Sequence, residues 1–364
     1  MKIQSVAILG AGAVGCYVLW GLADKAAANT LQLGVVAEGS RAERLRQNGC
    51  TINGQVYHPQ VWTPQQAHGV DLLIVALKYG ALPGALDSIR TIVSERTVVM
   101  SLMNGVDSEE LIAAQIGAAH VLPALIKVAS HRTEDGVLFD PETTIGIIYG
   151  ELTAPFDSDR VQAVRALFAD TGIHFRVTEH IREEIWSKFR LNVCNNLPQA
   201  ILGAGVGCYI DSAHIKAISD GLRRELEAIA AAKGIDLSKA AAASTHGSTV
   251  PPTARYSTLQ DLDAGRHTEI DMFSGALIDL FADASGNAAA HHYFYTDISY
   301  LVHQGYGKIC QQYQIEDNLM DDCGNCNAFK CRIADYVYIS WEDIEADGAY
   351  LRESYEKYGK KGES

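Results

Sequence analysis

Two hydrophobic periodicities divide the chain. Up to about residue 178, short uninterrupted apolar runs alternate with amphipathic stretches. The runs at 5–9, 31–37, 72–77 and 98–102 lack the in–out alternation of a sheet with one wet face. Runs of that kind predict strands buried on both faces of a parallel sheet. Helical patterns follow the first run to about Lys25 and recur over 159–169, while 146–150 and 175–177 read as further short strands. The region 121–151 alternates short strands and turns. Strand and helix in alternation predict an α/β fold with a doubly wound, mainly parallel sheet, a Rossmann-type domain over 1–178. Past His180 the strand pattern stops. Residues 182–202 and 212–233, a helix opening at Asp236 and ended by Pro251-Pro252, and a polar stretch over 256–271 predict an all-α second domain over 179–309. Residues 310–364 form an acidic extension containing cysteine and tyrosine.

The first strand runs into Gly10-Ala11-Gly12-Ala13-Val14-Gly15 and then into a helix. This is G-x-G-x-x-G in the context it requires, strand before and helix after. The first glycine permits the tight turn and the second lets a pyrophosphate approach the backbone. The third lets helix and strand pack, and the helix N-terminus faces the phosphates. Glu38 ends the second strand about twenty residues further on, where a carboxylate grips the ribose 2′-hydroxyl of NAD. Arg41 and Arg44 follow within two turns and can reach a 2′-phosphate instead, so the choice between NAD and NADP stays open. Strand 72–77 delivers Lys78, and strand 98–102 delivers Asn104-Gly105, to the carboxyl edge of the sheet, where open α/β sheets bind ligands.

In the second domain, Lys188, Asn192 and Asn196 stand at about 0°, 40° and 80° on one helix, a single polar stripe beside apolar Ile185, Phe189, Val193 and Leu197. A lysine and two amides at the edge of an apolar face are costly unless something polar meets them. A solvated face has the same spacing. Ser257 and Asp261 lie one turn apart on a second polar stretch, with Glu269 further round if the helix runs on through Gly265.

Composition narrows the function. With 364 residues, 48% hydrophobic and 20% charged, the chain has the make-up of an ordinary globular protein of two domains. A net charge of −14 argues against nucleic-acid binding, which needs clustered Lys and Arg. The apolar run 6–23 mimics a membrane segment, but four glycines interrupt it and only Lys2 precedes it as a basic residue. Strand, turn and helix explain it better, and the expectation is a cytoplasmic protein with no membrane partner. Cys16, Cys50, Cys194 and Cys208 are scattered through apolar sequence as expected of buried reduced thiols. Cys310, Cys323, Cys326 and Cys331 crowd together, and zinc, a labile disulfide or unrelated thiols all fit them. No metal is assigned.

Taken together, these motifs resemble the ketopantoate reductase family from the first strand to about residue 280. The resemblance rests on Gly10 to Gly15, Leu77-Lys78, Asn104-Gly105, the run Trp186-Ser-Lys-Phe-Arg-Leu-Asn192, and Ser257 to Asp261 with Arg266 to Asp271. It implies reduction of 2-dehydropantoate to pantoate at an active site between a Rossmann domain and a helical domain. Lys188 matches the general acid that protonates the keto oxygen while NADPH gives its hydride to C2. Glu269 matches the carboxylate that binds substrate and helps set the state of the lysine. Asn192, Asn196 and Ser257 match residues that hold the substrate's hydroxyl and carboxylate groups. Lys78 and Asn104 match the nicotinamide side, where Asn104 also meets the substrate. The cofactor set is then Gly10, Ala11, Gly12, Ala13, Val14, Gly15, Glu38, Arg41, Lys78 and Asn104. Glu38 stands close to where many members of the family place an arginine, which admits a second reading, an NAD-dependent D-2-hydroxyacid dehydrogenase. A third, from another class, is a non-catalytic NAD(P)-binding regulator. The expected partners are a small 2-keto acid and, in a homodimer, a second copy of the chain.

Overall fold

In the computed structural model, the structure describes residues 1–133, 136–241 and 251–276. The chain divides into two compact units, Met1–Ile185 and a second beginning at Trp186.

The first unit opens with β1 (Ser5–Leu9), α1 (Ala13–Ala27), β2 (Gln32–Val36) and α2 (Gly39–Asn48). Three short strands follow, β3 (Cys50–Ile52), β4 (Gln55–Tyr57) and β5 (Gln60–Trp62), and then β6 (Leu72–Val75), α3 (Leu82–Ile92), β7 (Val98–Ser101) and α4 (Ser108–Ile116). The remainder comprises β8 (Ala124–Lys127), β9 (Ser130–Thr133), β10 (Gly136–Phe139), β11 (Gly146–Tyr149), α5 (Asp159–Phe168) and β12 (Phe175–Val177).

The main sheet has five strands in the order β5-β2-β1-β6-β7, every pair parallel. Its residues sort by parity into two apolar clusters. Val6, Ile8, Leu33, Val35, Leu72 and Ile74 face one way, and Ala7, Leu9, Val36, Leu73 and Val75 face the other. Both faces are therefore dry, which is why these strands read as continuous apolar runs rather than alternating ones. The strand order reverses between β1 and β6, so the crevice at their carboxyl ends is the place where such sheets take ligands.

Two smaller sheets were not anticipated in this form. A four-stranded sheet runs β4-β3-β10-β9, and a three-stranded sheet β12-β11-β8 mixes parallel and antiparallel pairs. Strands of three or four residues, partly exposed at Val56 and Leu138, carry too little periodicity to announce themselves.

α6 (Ile181–Leu202) belongs to both units by sequence. In the first unit its opening turn is fixed by Ile181 and Ile185 packing on Leu125 and Ile148. Buried Glu184 joins Arg176 at 2.5 Å and Lys127 at 3.4 Å. The second unit continues with α7 (Cys208–Asp211), α8 (Ala213–Ala232) and α9 (Ser257–Asp263). The helix expected to open at Asp236 is instead a 3-10 turn, Leu237–Lys239. The Asp236 carboxylate caps Ser238, and Ala240 leaves in an extended conformation. The expected end of that helix at 242–250, the rest of the predicted helical domain from 277 and the cysteine-rich extension lie outside the described residues.

Candidate functional site

The glycine turn behaves as three different residues. Gly10 has φ +109°, and a Cβ there would lie 2.4 Å from the Ala76 carbonyl oxygen. A Cβ on Gly15 would lie 1.9 Å from the Gly10 carbonyl oxygen, so only glycine lets α1 start this close to β1. Gly12, the N-cap of α1, meets nothing within 4 Å. Two glycines thus serve the chain's own packing, and the third lines an open approach to a helix N-terminus with no acidic residue in its first turn. This is the arrangement that admits a pyrophosphate to backbone N–H groups. Ala11, Ala13 and Val14 are half-buried around it. Glu38 occupies the N-cap position of α2, two residues past β2, without a side-chain capping bond, and Glu38, Arg41 and Arg44 are all exposed.

Lys78 is exposed just past β6, and its carbonyl accepts the Ala81 N–H in the 3-10 turn Tyr79–Ala81. Asn104 is half-buried past β7, and Gly105 beside it takes φ +107°. Two residues that sequence reasoning missed join these loops: the Tyr79 hydroxyl donates to the Asp107 carboxylate at 2.5 Å. Behind them lies a chain of small polar groups. Ser101 and Ser108 hydroxyls are 2.8 Å apart, and Ser108 donates to Glu109 at 2.8 Å. Burial pushes the Glu109 carboxyl up to about 7, against the hydrogen bonds from Ser108 and two backbone N–H groups that lower it. No motif marks Glu109, because its neighbours Asp107 and Ser108 are visible in the sequence but its burial is not.

In the second unit, Lys188 and Asn192 are half-buried and Asn196 is 5% exposed. Asn196 donates to the Ser257 hydroxyl at 3.3 Å, so the structure joins the two predicted polar stretches at this point. Glu269 is also buried, but not by the expected route. α9 ends at Asp263, Gly265 takes φ +61°, and the chain turns back before Glu269. Asp261 makes that turn: its carboxylate accepts from Arg266 Nε at 2.9 Å, and its carbonyl accepts the Arg266 N–H at 2.8 Å. Glu269 then precedes a π-helical turn, Asp271–Gly275, with its carbonyl accepting the N–H groups of Met272 and Phe273. Phe273 stacks on Phe189, ring centroids 6.3 Å apart. The elements carrying Lys188 and Glu269 are therefore packed together.

A cavity of about 910 Å³ lies on the opposite face of α6, lined among others by Ser187, Arg190, Glu227, Ile235 and Leu237. None of the predicted site residues borders it. Cys16, Cys50, Cys194 and Cys208 are buried free thiols, with burial pushing Cys194 and Cys208 up to about 12. Among the described residues, no group of three or more His, Cys, Asp or Glu can hold a metal ion, and no helix is long and apolar enough to cross a membrane.

A parallel sheet with a glycine turn at its first strand, followed by helices, is the framework of a Rossmann-type protein with a helical C-terminal region. The ketopantoate reductase PanE/ApbA model matches residues 6–148, and the model of its C-terminal domain matches residues 180–300. The chain belongs to the ketopantoate reductase family, NAD(P)-dependent enzymes acting on CH–OH groups. It is 26% identical over 305 residues to a 2-dehydropantoate 2-reductase of Mesorhizobium japonicum, covering 76% of this chain and 91% of that one. A PanE/ApbA family ketopantoate reductase from Ralstonia eutropha shares the fold with TM-score 0.67 at 22% identity, over 83% of this chain and 99% of that one. D-mandelate dehydrogenase, solved with NADH and anilino(oxo)acetate, shares it with TM-score 0.69 at 18% identity, over 83% and 98%.

Proposed function

We propose that the chain reduces 2-dehydropantoate to (R)-pantoate with NADPH, residues 1–178 holding the cofactor and 179–309 the substrate. The observation that carries this reading is the polar face of α6, Lys188, Asn192 and Asn196, with Asn196 tied to Ser257, in a member of this family. Bound nicotinamide dinucleotide supplies a hydride to the keto carbon. The chain's own residues do the rest. Gly10 to Gly15 and the N-terminus of α1 hold the pyrophosphate, with Lys78 and Asn104 at the nicotinamide side. Asn192, Asn196 and Ser257 hold the acid's hydroxyl and carboxylate, and Asn104 approaches the substrate as well. Negative charge develops on the keto oxygen as hydride arrives, and the Lys188 ammonium stabilises it and then gives up its proton. Glu269 binds the substrate and helps set the state of the lysine.

NADP(H) is the proposed cofactor because Arg41 and Arg44 stand exposed on α2, within reach of a 2′-phosphate. Glu38 opposes this, and the same residue supports the second reading, an NAD-dependent D-2-hydroxyacid dehydrogenase. The test follows NADPH and NADH oxidation with 2-dehydropantoate and a panel of branched and aromatic 2-keto acids. Turnover of 2-dehydropantoate with NADPH is expected, and Glu38→Gln should lower KM for NADPH more than for NADH. Activity with NADH and other keto acids alone would move the assignment to the second reading. Cofactor binding with no turnover of any of these acids would favour the regulator.

A further inference from the structure

Pro198 lies inside α6 and brings no N–H to the helix ladder. Beside it, the Tyr209 hydroxyl donates to the Asn195 carbonyl and meets the backbone N–H of Gln199, two groups that would ordinarily face each other along the helix. A side chain inserted at this point frees the next residues from strict helical constraint. The Gln199 side chain is fully buried and spends both ends of its amide on another segment. Its Nε2 donates to the Ala254 carbonyl at 3.0 Å, and its Oε1 accepts the Tyr256 N–H at 2.6 Å. The amide thus pairs with the backbone on either side of Arg255 as a neighbouring strand would.

Tyr256 is the N-cap of α9, and Ser257 is that helix's first residue. Where Tyr256 is held decides where Ser257 points. Asn196, one turn before Gln199 on α6, donates to the Ser257 oxygen, which leaves the Ser257 O–H as a donor for an acidic group.

We propose that Gln199 is a positioning residue for substrate recognition: by pinning the Ala254–Tyr256 backbone to α6 it holds the Ser257 hydroxyl against Asn196, where the pair meets the substrate's carboxylate or hydroxyl. This deepens the reductase reading and rests on it. The family motifs quoted above do not include Gln199, and no line of catalytic chemistry points to it.

The test compares steady-state kinetics of the full-length protein with Gln199→Met, Gln199→Glu, Ser257→Ala and the Gln199→Met/Ser257→Ala double variant, using NADPH and 2-dehydropantoate. Gln199→Met keeps the volume and loses both hydrogen bonds. It should raise KM for the keto acid by about tenfold, the scale of one or two lost hydrogen bonds, with kcat changed less and KM for NADPH unchanged. Gln199→Glu retains the acceptor toward Tyr256 and should recover part of that loss; it carries the test if Gln199→Met does not fold. The double variant should be no worse than Ser257→Ala alone, since both changes remove the same contact. Unchanged KM in both Gln199 variants, losses that multiply in the double variant, or KM for NADPH rising equally would each overturn the inference. A wild-type protein with no turnover fails the reductase reading itself, and is recognised before any variant is measured.

Discussion

The two units assemble their polar surfaces by opposite routes. In the first, the glycine turn, Lys78 and Asn104 each sit within about three residues of a strand's carboxyl end, and the parallel sheet lines them up at one edge. In the second, the partners come from far apart in sequence: 61 positions separate Asn196 from Ser257, and 57 separate Gln199 from Tyr256. The proposed nucleotide-binding edge can thus be built from local rules repeated along a sheet. A polar face on a helix, such as the proposed substrate face of α6, needs other segments brought to it, and here buried polar side chains bring them. The sheet edge of the first unit should therefore tolerate changes that respect backbone geometry, whereas the polar face of α6 in the second should be sensitive to single side chains.

The largest expected effect tests the second unit's chemistry. Lys188→Ala should cut turnover by about 10²- to 10⁴-fold, the range for losing a general acid, while NADPH binding by fluorescence titration is retained. Turnover within a few-fold of wild type would remove Lys188 from the mechanism. Glu184→Ala tests the first turn of α6, where one buried carboxylate faces two cations. Leaving them without it should cost roughly 3 kcal/mol in urea unfolding, discounted from a fully buried pair because Arg176 and Lys127 keep some solvent.

Glu109 gives a pH signature to the first unit. Its carboxyl rises from the usual 4.5 to about 7 in the fold, so the folded state binds the extra proton in that window. The Glu109 contribution to stability is greatest below about 4.5 and is lost as pH rises to about 7, by on the order of 2 kcal/mol. Glu109→Gln should flatten that slope and leave the protein more stable than wild type at pH 8 in chemical denaturation. The smallest effect separates the glycines. Gly12→Ala, with open space at its Cβ, should leave the melting temperature unchanged and weaken NADPH about tenfold by crowding the phosphates. Gly15→Ala should lower the melting temperature itself, because its Cβ would meet the Gly10 carbonyl.

Much of the first unit was legible because burial on both faces leaves a contiguous apolar run, and that run needs no long-range information to recognise. The short strands over Cys50–Trp62 were not legible, since three residues hold less than two periods of any pattern. In the second unit, α6 and its polar stripe were visible from spacing, as was the polar character of α9. The path to Glu269 was not: a continuous helix was the simplest extrapolation, and the Asp261–Arg266 contact at Gly265 turns the chain instead.

The amino-acid sequence by itself determined the long buried strands β1, β2, β6 and β7, the glycine turn, the stripe on α6 and, through these motifs together, the family. Those features depend on contacts within a turn or on the sign of each residue's hydropathy, which neighbours along the chain reveal. Only the tertiary structure decided that Asn196 meets Ser257, that Gln199 clamps the start of α9, that Tyr79 ties to Asp107 and that Glu109 holds its proton near neutrality. Each of these depends on which polar groups remain to satisfy one another once water has been excluded, and that is fixed by packing between segments rather than by any one of them.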